Sequence, residues 1–573
     1  MLLAAALALP ALFAYNVSPS ATLLNQLLAV GLWGVVLIAW PMAPERPGWR
    51  SPGLWAALAL LAGAVLWSME VALPASLGWS ALALLAAGAA VAWHGSAEDT
   101  PEADAIDAFC TALLAAGVAS ALIALVQVFA PGWADGTFIA RSGLPGRAVG
   151  NLRQPNHLSS LLMWALVAWV PLARAGRVAG WRFPVHVAWP LALLLLWAVV
   201  LTASRTGIVG VLLLALWGLV DGRLGRRMRV TLLTAPLAYL AVWLLMSAWA
   251  HATGTTFGGE ARLAEGDVSG SRWGIWSNTL ALIAANPWSG VGFGQFNFAW
   301  TLSPFPGRPV AFFDHTHDLP LQLWVELGIP LGSLVLLGLL WALAQAAVRS
   351  WRVQGDVGVG SRAAFMVVLM IGVHSLFEYP LWYAYFLLPA AWAFGYALRR
   401  PPGSPAAAEE PVVTVAGSPW PLRAVGVLLL LGSVYALQDY WKVVVIYAPD
   451  DASGPLAERI ERGQHSLFFG HQADYAAATT TEPPSLAMAA FHTTTHALLD
   501  TRLMTAWARA MDESGHRDKA SYLAARLKEF RNPASAEFFA ACQVPVEDGA
   551  LPPFQCVVPP PGLGWRDFLP QRP

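Results

Sequence analysis

Apolar runs of about 17–25 residues recur through most of this 573-residue chain, which is the length an α-helix needs to cross a hydrocarbon layer. With no water there to satisfy backbone N–H and C=O groups, a segment has to satisfy its own, and a helix does so. The expected fold class is therefore all-α, a polytopic helical membrane protein. Candidate spans fall near residues 2–15, 21–41, 53–72, 75–93, 108–130, 157–173, 184–202, 206–220, 230–250, 319–347, 363–380, 382–398 and 421–441, about 13 transmembrane helices. The first run, Leu2 to Tyr15, has no Lys or Arg before it and many spans after it, so it reads as a helix of the bundle rather than a signal peptide.

The net charge of −1 says little about partners, and nothing supports a nucleic-acid partner. In a bilayer what counts is where the basic residues fall. Arg46 and Arg50, then Arg174, Arg177 and Arg182, then Arg223, Arg226, Arg227 and Arg229, then Arg349, Arg352 and Arg362, then Arg399 and Arg400 occupy alternate loops, which the positive-inside rule makes cytoplasmic. The acidic loop Glu98–Asp107 lies on that side as well. An odd number of spans puts the N-terminus inside and the C-terminus outside. The outer face then carries loops at about 131–156 and 251–318, tight links at Ser204-Arg205 and Glu378-Tyr379-Pro380, and the tail after Tyr447.

This ordering divides the chain into a membrane domain over 1–400, a cytoplasmic Pro- and Ala-rich linker over 401–420, a last span over 421–447 and a small helical periplasmic domain over 448–573. In the tail, apolar spacing predicts amphipathic helices near 453–466, 484–513 and 516–531, stacked as helix pairs. Cys110 reads as a small core residue. Cys542 and Cys556 close a short Pro-containing loop and can form a disulfide in an oxidising compartment, provided the backbone brings them close enough.

Polar residues are sparse in a chain that is 57% hydrophobic and 12% charged, and those at the outer edge cost free energy unless solvated, paired or used. Gly150-Asn151-Leu152-Arg153-Gln154-Pro155-Asn156-His157 runs from a Gly- and Arg-rich loop into an apolar helix, with Pro155 suited to the first turn. The free N–H groups of such a helix start attract anions, and Arg141, Arg147 and Arg153 add positive charge. The plainer reading is that Gln154 and Asn156 cap the helix and His157 sits at the interface. Arg205, between two apolar stretches, would cost roughly 2.5–3.5 kcal/mol at a helix centre and less toward the edge. Its planar fork fits two phosphate oxygens; the alternative is an anchor among lipid headgroups. Arg272 opens a stretch with Trp273, Trp276 and Leu280 at helical spacing, as in a helix lying in the membrane interface.

The densest cluster is Asp314-His315-Thr316-His317-Asp318, followed by Gln322 and Glu326 on the next helix. Two His and two Asp invite a metal, but no third ligand stands at a zinc-like spacing elsewhere. A neutral imidazole near pH 7 can instead take a proton from an attacking hydroxyl, and His317 stands at the mouth of its helix. Gln322 and Glu326 either line the cavity or pair with a neighbour. At the last outer hairpin, Glu378 and Tyr379 are more notable than Trp382 and Tyr383, which suit an interfacial aromatic belt.

Taken in order, Gln154-Pro155-Asn156-His157, Ser204-Arg205, Arg272, Thr316-His317-Asp318 before Leu319-Pro320-Leu321-Gln322, and Glu378-Tyr379-Pro380-Leu381 resemble the bacterial pilin-type protein O-oligosaccharyltransferases, within the superfamily of O-antigen ligases and O-antigen polymerases. Relatives commonly carry Asn where this chain has Asp318. The resemblance implies a metal-independent, inverting transfer of a glycan from undecaprenyl diphosphate to an acceptor hydroxyl, without a cofactor, at the periplasmic face of the inner membrane. It implies that His317 is catalytic and that Gln154 and Tyr379 matter for activity. Arg205 and Arg272 would bind the diphosphate, while Asn156, His157, His315, Asp318 and Glu378 would position donor or acceptor. Expected partners are the lipid-linked glycan, membrane lipid and a periplasmic acceptor protein such as pilin.

Ligation to lipid A-core and polymerisation of repeat units share the donor and differ in the attacking hydroxyl. A lipid-linked sugar transporter would show repeated halves and ionisable groups near the midplane, whereas the polar groups here lie at one edge. A scaffold for envelope assembly would need neither Arg205 nor His317.

Overall fold

The computed structural model describes residues 1–40, 51–97, 102–264, 268–399, 420–545 and 551–569. Arg46, Arg50, Arg400, residues 98–101 of the acidic loop and the linker through Pro419 lie outside the described residues. Each of the thirteen apolar runs is helical. The first nine are α1 (Leu2–Leu12), α2 (Leu23–Ala39), α3 (Pro52–Val71), α4 (Ala75–Gly95), α5 (Glu102–Phe129), α6 (Pro155–Ala175), α7 (Val185–Thr202), α8 (Arg205–Val220) and α9 (Arg226–Thr253). Three intervening helices follow, α10 (Gly258–Ala264), α11 (Val268–Ala285) and α12 (Phe296–Leu302). Then come α13 (Leu319–Arg352), α14 (Gly355–His374), α15 (Ala384–Ala397) and α16 (Trp420–Tyr447).

Among the described residues nine helices are long and apolar enough to cross a membrane: α3 to α7, α9, α13, α14 and α16. The other four expected spans, α1, α2, α8 and α15, have 11, 17, 16 and 14 residues. The chain is thus a helical polytopic membrane protein, with α1, α8 and α15 shorter than the roughly 17 residues that a crossing needs. The described strands form a two-residue ladder pairing Arg177–Val178 with Trp181–Arg182.

Two compact units divide the chain. The first comprises Met1–Trp55, Leu84–Gly266 and Gly338–Leu437. Its centre is α6, buried along most of its length and packed against α5, α7, α8 and α14. Indole N–H groups there find backbone acceptors: Trp164 donates to the Val367 carbonyl at 3.0 Å and Trp169 to that of Ala188 at 2.8 Å. Arg362 corrects the reading of it as a loop arginine. It lies inside α14, 1% exposed, with Nε 2.5 Å from the Asp221 carboxylate at the end of α8. A buried charge needs such a partner, and the pair takes Arg362 out of the positive-inside tally.

The second unit comprises Ala56–Ala83, Asp267–Leu337 and Gln438–Pro573. Here the expected continuous helix over 319–347 is interrupted at Gly328 (φ 77°, ψ 164°), which falls within this unit's part of α13. A Cβ at Gly328 would meet the Trp288 carbonyl oxygen at 2.3 Å, so only glycine fits. The freed backbone groups are taken up by the preceding loop, where Val291 N–H donates to the Val325 carbonyl and Ile329 N–H to that of Pro287, both at 2.8 Å.

The tail helices are α17 (Leu456–Gln464), α18 (Gly470–Thr480), α19 (Met488–Thr494), α20 (Thr501–Glu513), α21 (Arg517–Glu529) and α22 (Ala536–Ala540). The predicted helix over 484–513 is in fact a short 3₁₀ turn, α19 and α20. Asp500 starts α20 by accepting the Leu503 N–H at 2.8 Å. Neighbours pack as pairs, α17 with α18, α18 with α19 and α20 with α21. Cys542 and Cys556 are joined by a disulfide. The Arg308 side chain is fully buried, with its guanidinium 4.3 Å from the Phe530 ring centre and Nε 3.3 Å from the Glu529 carboxylate. It also donates to the backbone of Trp300, Thr301 and Ser303. Burial lowers its pKa to about 10, with Glu529 pulling the other way.

Candidate active site

Within the first unit, three of the motifs meet around one side chain. The start of α6 is set by Gln154, whose side-chain oxygen accepts the His157 N–H at 2.8 Å, with Pro155 in the first turn. The capping reading of Gln154 is therefore its observed contact. Asn156, one residue into the helix, donates to the Glu378 carboxylate at 3.0 Å and accepts from the Ser204 hydroxyl at 2.7 Å. Ser204 in turn caps α8 through the Gly207 N–H, following a left-handed Ala203 (φ 51°) that turns the chain tightly between α7 and α8. One carboxamide thus ties the Gln154–His157, Ser204-Arg205 and Glu378-Tyr379 segments together.

His157 is buried beneath this junction. Its Nδ1 lies 3.2 Å from the Tyr385 hydroxyl, and its ring sits edge-on to Tyr383 at 4.5 Å and Phe386 at 5.2 Å. Ser160 contacts His374 Nδ1 at 2.7 Å, one turn further into the helix. Tyr379 is half-buried and stacks on Tyr383 at 6.1 Å. Arg205 is exposed in the first turn of α8, where its side chain makes no hydrogen bond or ion pair among the described residues.

Sequence reasoning passed over Gln127, the residue that shapes the loop before α6. Its oxygen accepts the N–H groups of Val149 and Gly150, both at 2.9 Å, and its amide donates to the Ala140 carbonyl at 2.6 Å. The available signal was a lone amide near the end of an apolar helix. Asn151 completes the work by accepting the Ala140 N–H and donating to the Leu12 carbonyl.

Within the second unit, His317 occupies a left-handed backbone conformation (φ 56°) just before α13. A non-glycine residue there carries strain, of order 1–3 kcal/mol, that its surroundings must offset. They do so from three sides. The Thr316 N–H donates to the Gln322 side-chain oxygen at 2.8 Å, the Thr316 carbonyl accepts from Trp276 Nε1 at 3.0 Å, and the Thr316 hydroxyl donates to the Asp318 carbonyl at 2.8 Å. Asp318 caps α13 by accepting the Leu321 N–H at 2.8 Å, a task Asn performs equally well. Trp276 is therefore more than an interfacial aromatic, while Trp273 is exposed as expected.

Glu326, buried one turn beyond Gln322, interacts with its side chain and accepts the Phe296 N–H. The His317 imidazole is half-buried, edge-on to Phe313 at 5.6 Å. His315 Nδ1 lies 3.1 Å from Asp314. Burial alone would raise the Asp314 carboxyl, but His315 and, more weakly, His317 hold it below the ordinary range. Burial raises that of Asp318. Arg272 is half-buried in α11, the helix that also carries Trp276. Among the described residues no group of three or more His, Cys, Asp or Glu side chains is placed to hold a metal ion.

These features define a polytopic helical membrane protein with two organised polar clusters. Three family models match successive stretches of the chain: the protein glycosylation ligase family over residues 148–170, the O-antigen ligase family over 190–336 and the C-terminal region of the virulence factor membrane-bound polymerases over 362–540. Gln154 to His157 fall in the first, Arg205, Arg272 and His317 in the second, and Glu378 and Tyr379 in the third. The chain is 26% identical over 332 residues to the general O-oligosaccharyltransferase of Acinetobacter baylyi, a match covering 56% of this chain and 54% of that one. It is also 26% identical over 264 residues to the ComP-specific O-oligosaccharyltransferase of the same organism, covering 45% of each. The chain thus spans about half the length of the curated relatives it matches. The resemblance to the O-antigen ligase and polymerase superfamily, and to its protein O-oligosaccharyltransferases, is borne out.

Proposed function

We propose that the chain is a glycosyltransferase that moves an oligosaccharide en bloc from undecaprenyl diphosphate to Ser or Thr hydroxyls of periplasmic proteins such as pilin. The reading places it in the bacterial inner membrane with its chemistry on the periplasmic side. Residues 1–400 would form the membrane catalytic domain, 401–420 a cytoplasmic linker, 421–447 the last span and 448–573 a periplasmic helical domain. The observation that carries the reading is the backbone harness on His317, which holds an imidazole in a strained turn within the stretch matched by the O-antigen ligase family. Strain maintained by several partners is characteristic of working residues.

In the proposed reaction His317 accepts the proton of the acceptor hydroxyl as its oxygen bonds to the anomeric carbon with inversion. The bond from that carbon to the diphosphate oxygen breaks, and the electron pair leaves with the lipid diphosphate. Arg205 and Arg272 neutralise the charge that grows on the leaving group, so positioning and electrostatics supply the catalysis and no metal is needed. Gln154, Asn156, His157, Glu378 and Tyr379 position donor or acceptor, and His315 and Asp318 support the His317 turn.

Protein transfer is favoured over ligation to lipid A-core or repeat-unit polymerisation because the protein glycosylation ligase match covers Gln154–His157 and both relatives are named as O-oligosaccharyltransferases. The test is mass spectrometry of surface proteins and lipopolysaccharide from a deletion strain complemented with wild type or His317→Ala. Loss of glycan from proteins alone, unrestored by His317→Ala, is the expected result. Loss from lipopolysaccharide alone, or full rescue by the variant, would overturn it.

A further inference from the structure

A groove of about 600 Å³ opens in the second unit among α18, the Pro484 turn, α20 and the segment from Asn532 to Phe538. Its walls carry both signs of charge, with Arg502 and Arg509 set among Glu482, Asp500 and Glu537, alongside the Thr505 hydroxyl and the rings of Phe312 and Phe538. Phe312 is the informative residue. It comes from the loop before α13, not from the tail, and stacks on Phe530 at 3.9 Å with the rings 15° apart. The next residue, Phe313, lies edge-on to the His317 imidazole. One side of the groove is therefore continuous in sequence with the turn that presents the base.

We propose that this groove receives the acceptor polypeptide and leads its hydroxyl side chain toward His317, an inference that rests on the transferase reading above. The lining favours a peptide. An extended chain offers alternating N–H and C=O groups and charged side chains that guanidinium, carboxylate and hydroxyl groups can all satisfy, with the half-buried Phe312 ring beside them for an apolar side chain. A neutral glycan has no charge to set against the exposed Arg502, Arg509, Glu482 and Glu537, whereas a polypeptide carries side chains of both signs. Arg502 already donates to the Thr479 carbonyl at 3.2 Å and Arg509 lies 5.9 Å from the Phe538 ring, so both are held at the groove before anything binds.

The test uses the full chain in lipid nanodiscs with p-benzoylphenylalanine at Thr505, at Arg509 or, as control, at exposed Lys528 on α21. Each is irradiated with a tagged pilin-like protein in the absence of lipid-linked glycan. The expected result is adducts at 505 and 509 and none at 528. In the transfer assay Thr505→Trp, which fills the groove, should raise the acceptor KM about tenfold or more, the scale of losing a hot-spot contact, and shift kcat less. Adducts only at 528, none at all, or capture of the glycan instead of the protein once donor is supplied would overturn the proposal. If adducts form as expected while no version of the chain transfers glycan, the transferase reading falls and the groove's occupant stands.

Discussion

Replacing Gln322 with Leu, close in size but unable to hydrogen-bond, tests whether the harness on His317 matters for turnover. The substitution leaves the buried Thr316 N–H without its 2.8 Å acceptor. An unsatisfied buried donor costs about 1–3 kcal/mol. The adjacent His317 turn is already strained by a comparable amount, so the loop relaxes and the presented imidazole becomes a minority conformer. If that whole cost falls on the competent conformation, kcat drops by roughly 5- to 150-fold, at 1.36 kcal/mol per decade. Because Gln322 holds backbone and not substrate, the KM for donor and acceptor should move far less. The assay is transfer of a labelled glycan to a pilin-like acceptor by purified enzyme, with thermal unfolding followed in parallel. Gln322→Glu keeps an oxygen for the Thr316 N–H but places a second carboxylate beside Glu326, so it should recover activity preferentially at acidic pH. Wild-type kcat in Gln322→Leu, or a loss confined to KM, would refute the positioning role.

Arg205→Lys keeps the charge and loses the planar fork, so we expect transfer to fall about tenfold, and by about a hundredfold in Arg205→Ala, with unfolding temperature unchanged because the side chain is exposed. Asn156→Asp retains the acceptor for Ser204 but sets a carboxylate against Glu378; a lowered unfolding temperature at neutral pH, partly regained in acid as one carboxyl protonates, is the expected signature. His496, stacked on Phe298 with Nδ1 2.6 Å from Gln295 Oε1, has its pKa lowered by burial, with help from His492, to about 4. The unfolded chain, with an ordinary value of about 6.5, binds that proton first, so this contribution is intact above about pH 6.5 and lost as pH falls toward 4. His496→Phe should flatten the pH dependence of the melting temperature over that window.

What could be read from sequence followed from free energies that do not depend on the partner. A run of apolar residues has one cheap conformation in lipid wherever its neighbours lie, so the helices fall where expected. An arginine or histidine at the membrane edge is costly whatever it touches, so the motif residues stood out. What could not be read was who meets whom. Asn156 and Gln154 look alike in the sequence, yet one bridges three segments and the other caps a helix. Arg362 looked like any loop arginine because nothing local reveals that Asp221 is 2.5 Å away. Gly328 interrupts α13 because the Trp288 carbonyl occupies the space of a Cβ, a constraint set about forty residues upstream in the chain. Asp318 is the instructive case: its hydrogen bond is to the Leu321 N–H at the start of α13, for which Asp and Asn each supply an oxygen. A motif therefore records which positions must be polar at a costly place, whereas division of labour among them is written in backbone geometry. For His317 that geometry is the left-handed turn, and the residues that secure it, Trp276 and Gln322, are the ones whose roles the motif alone left open.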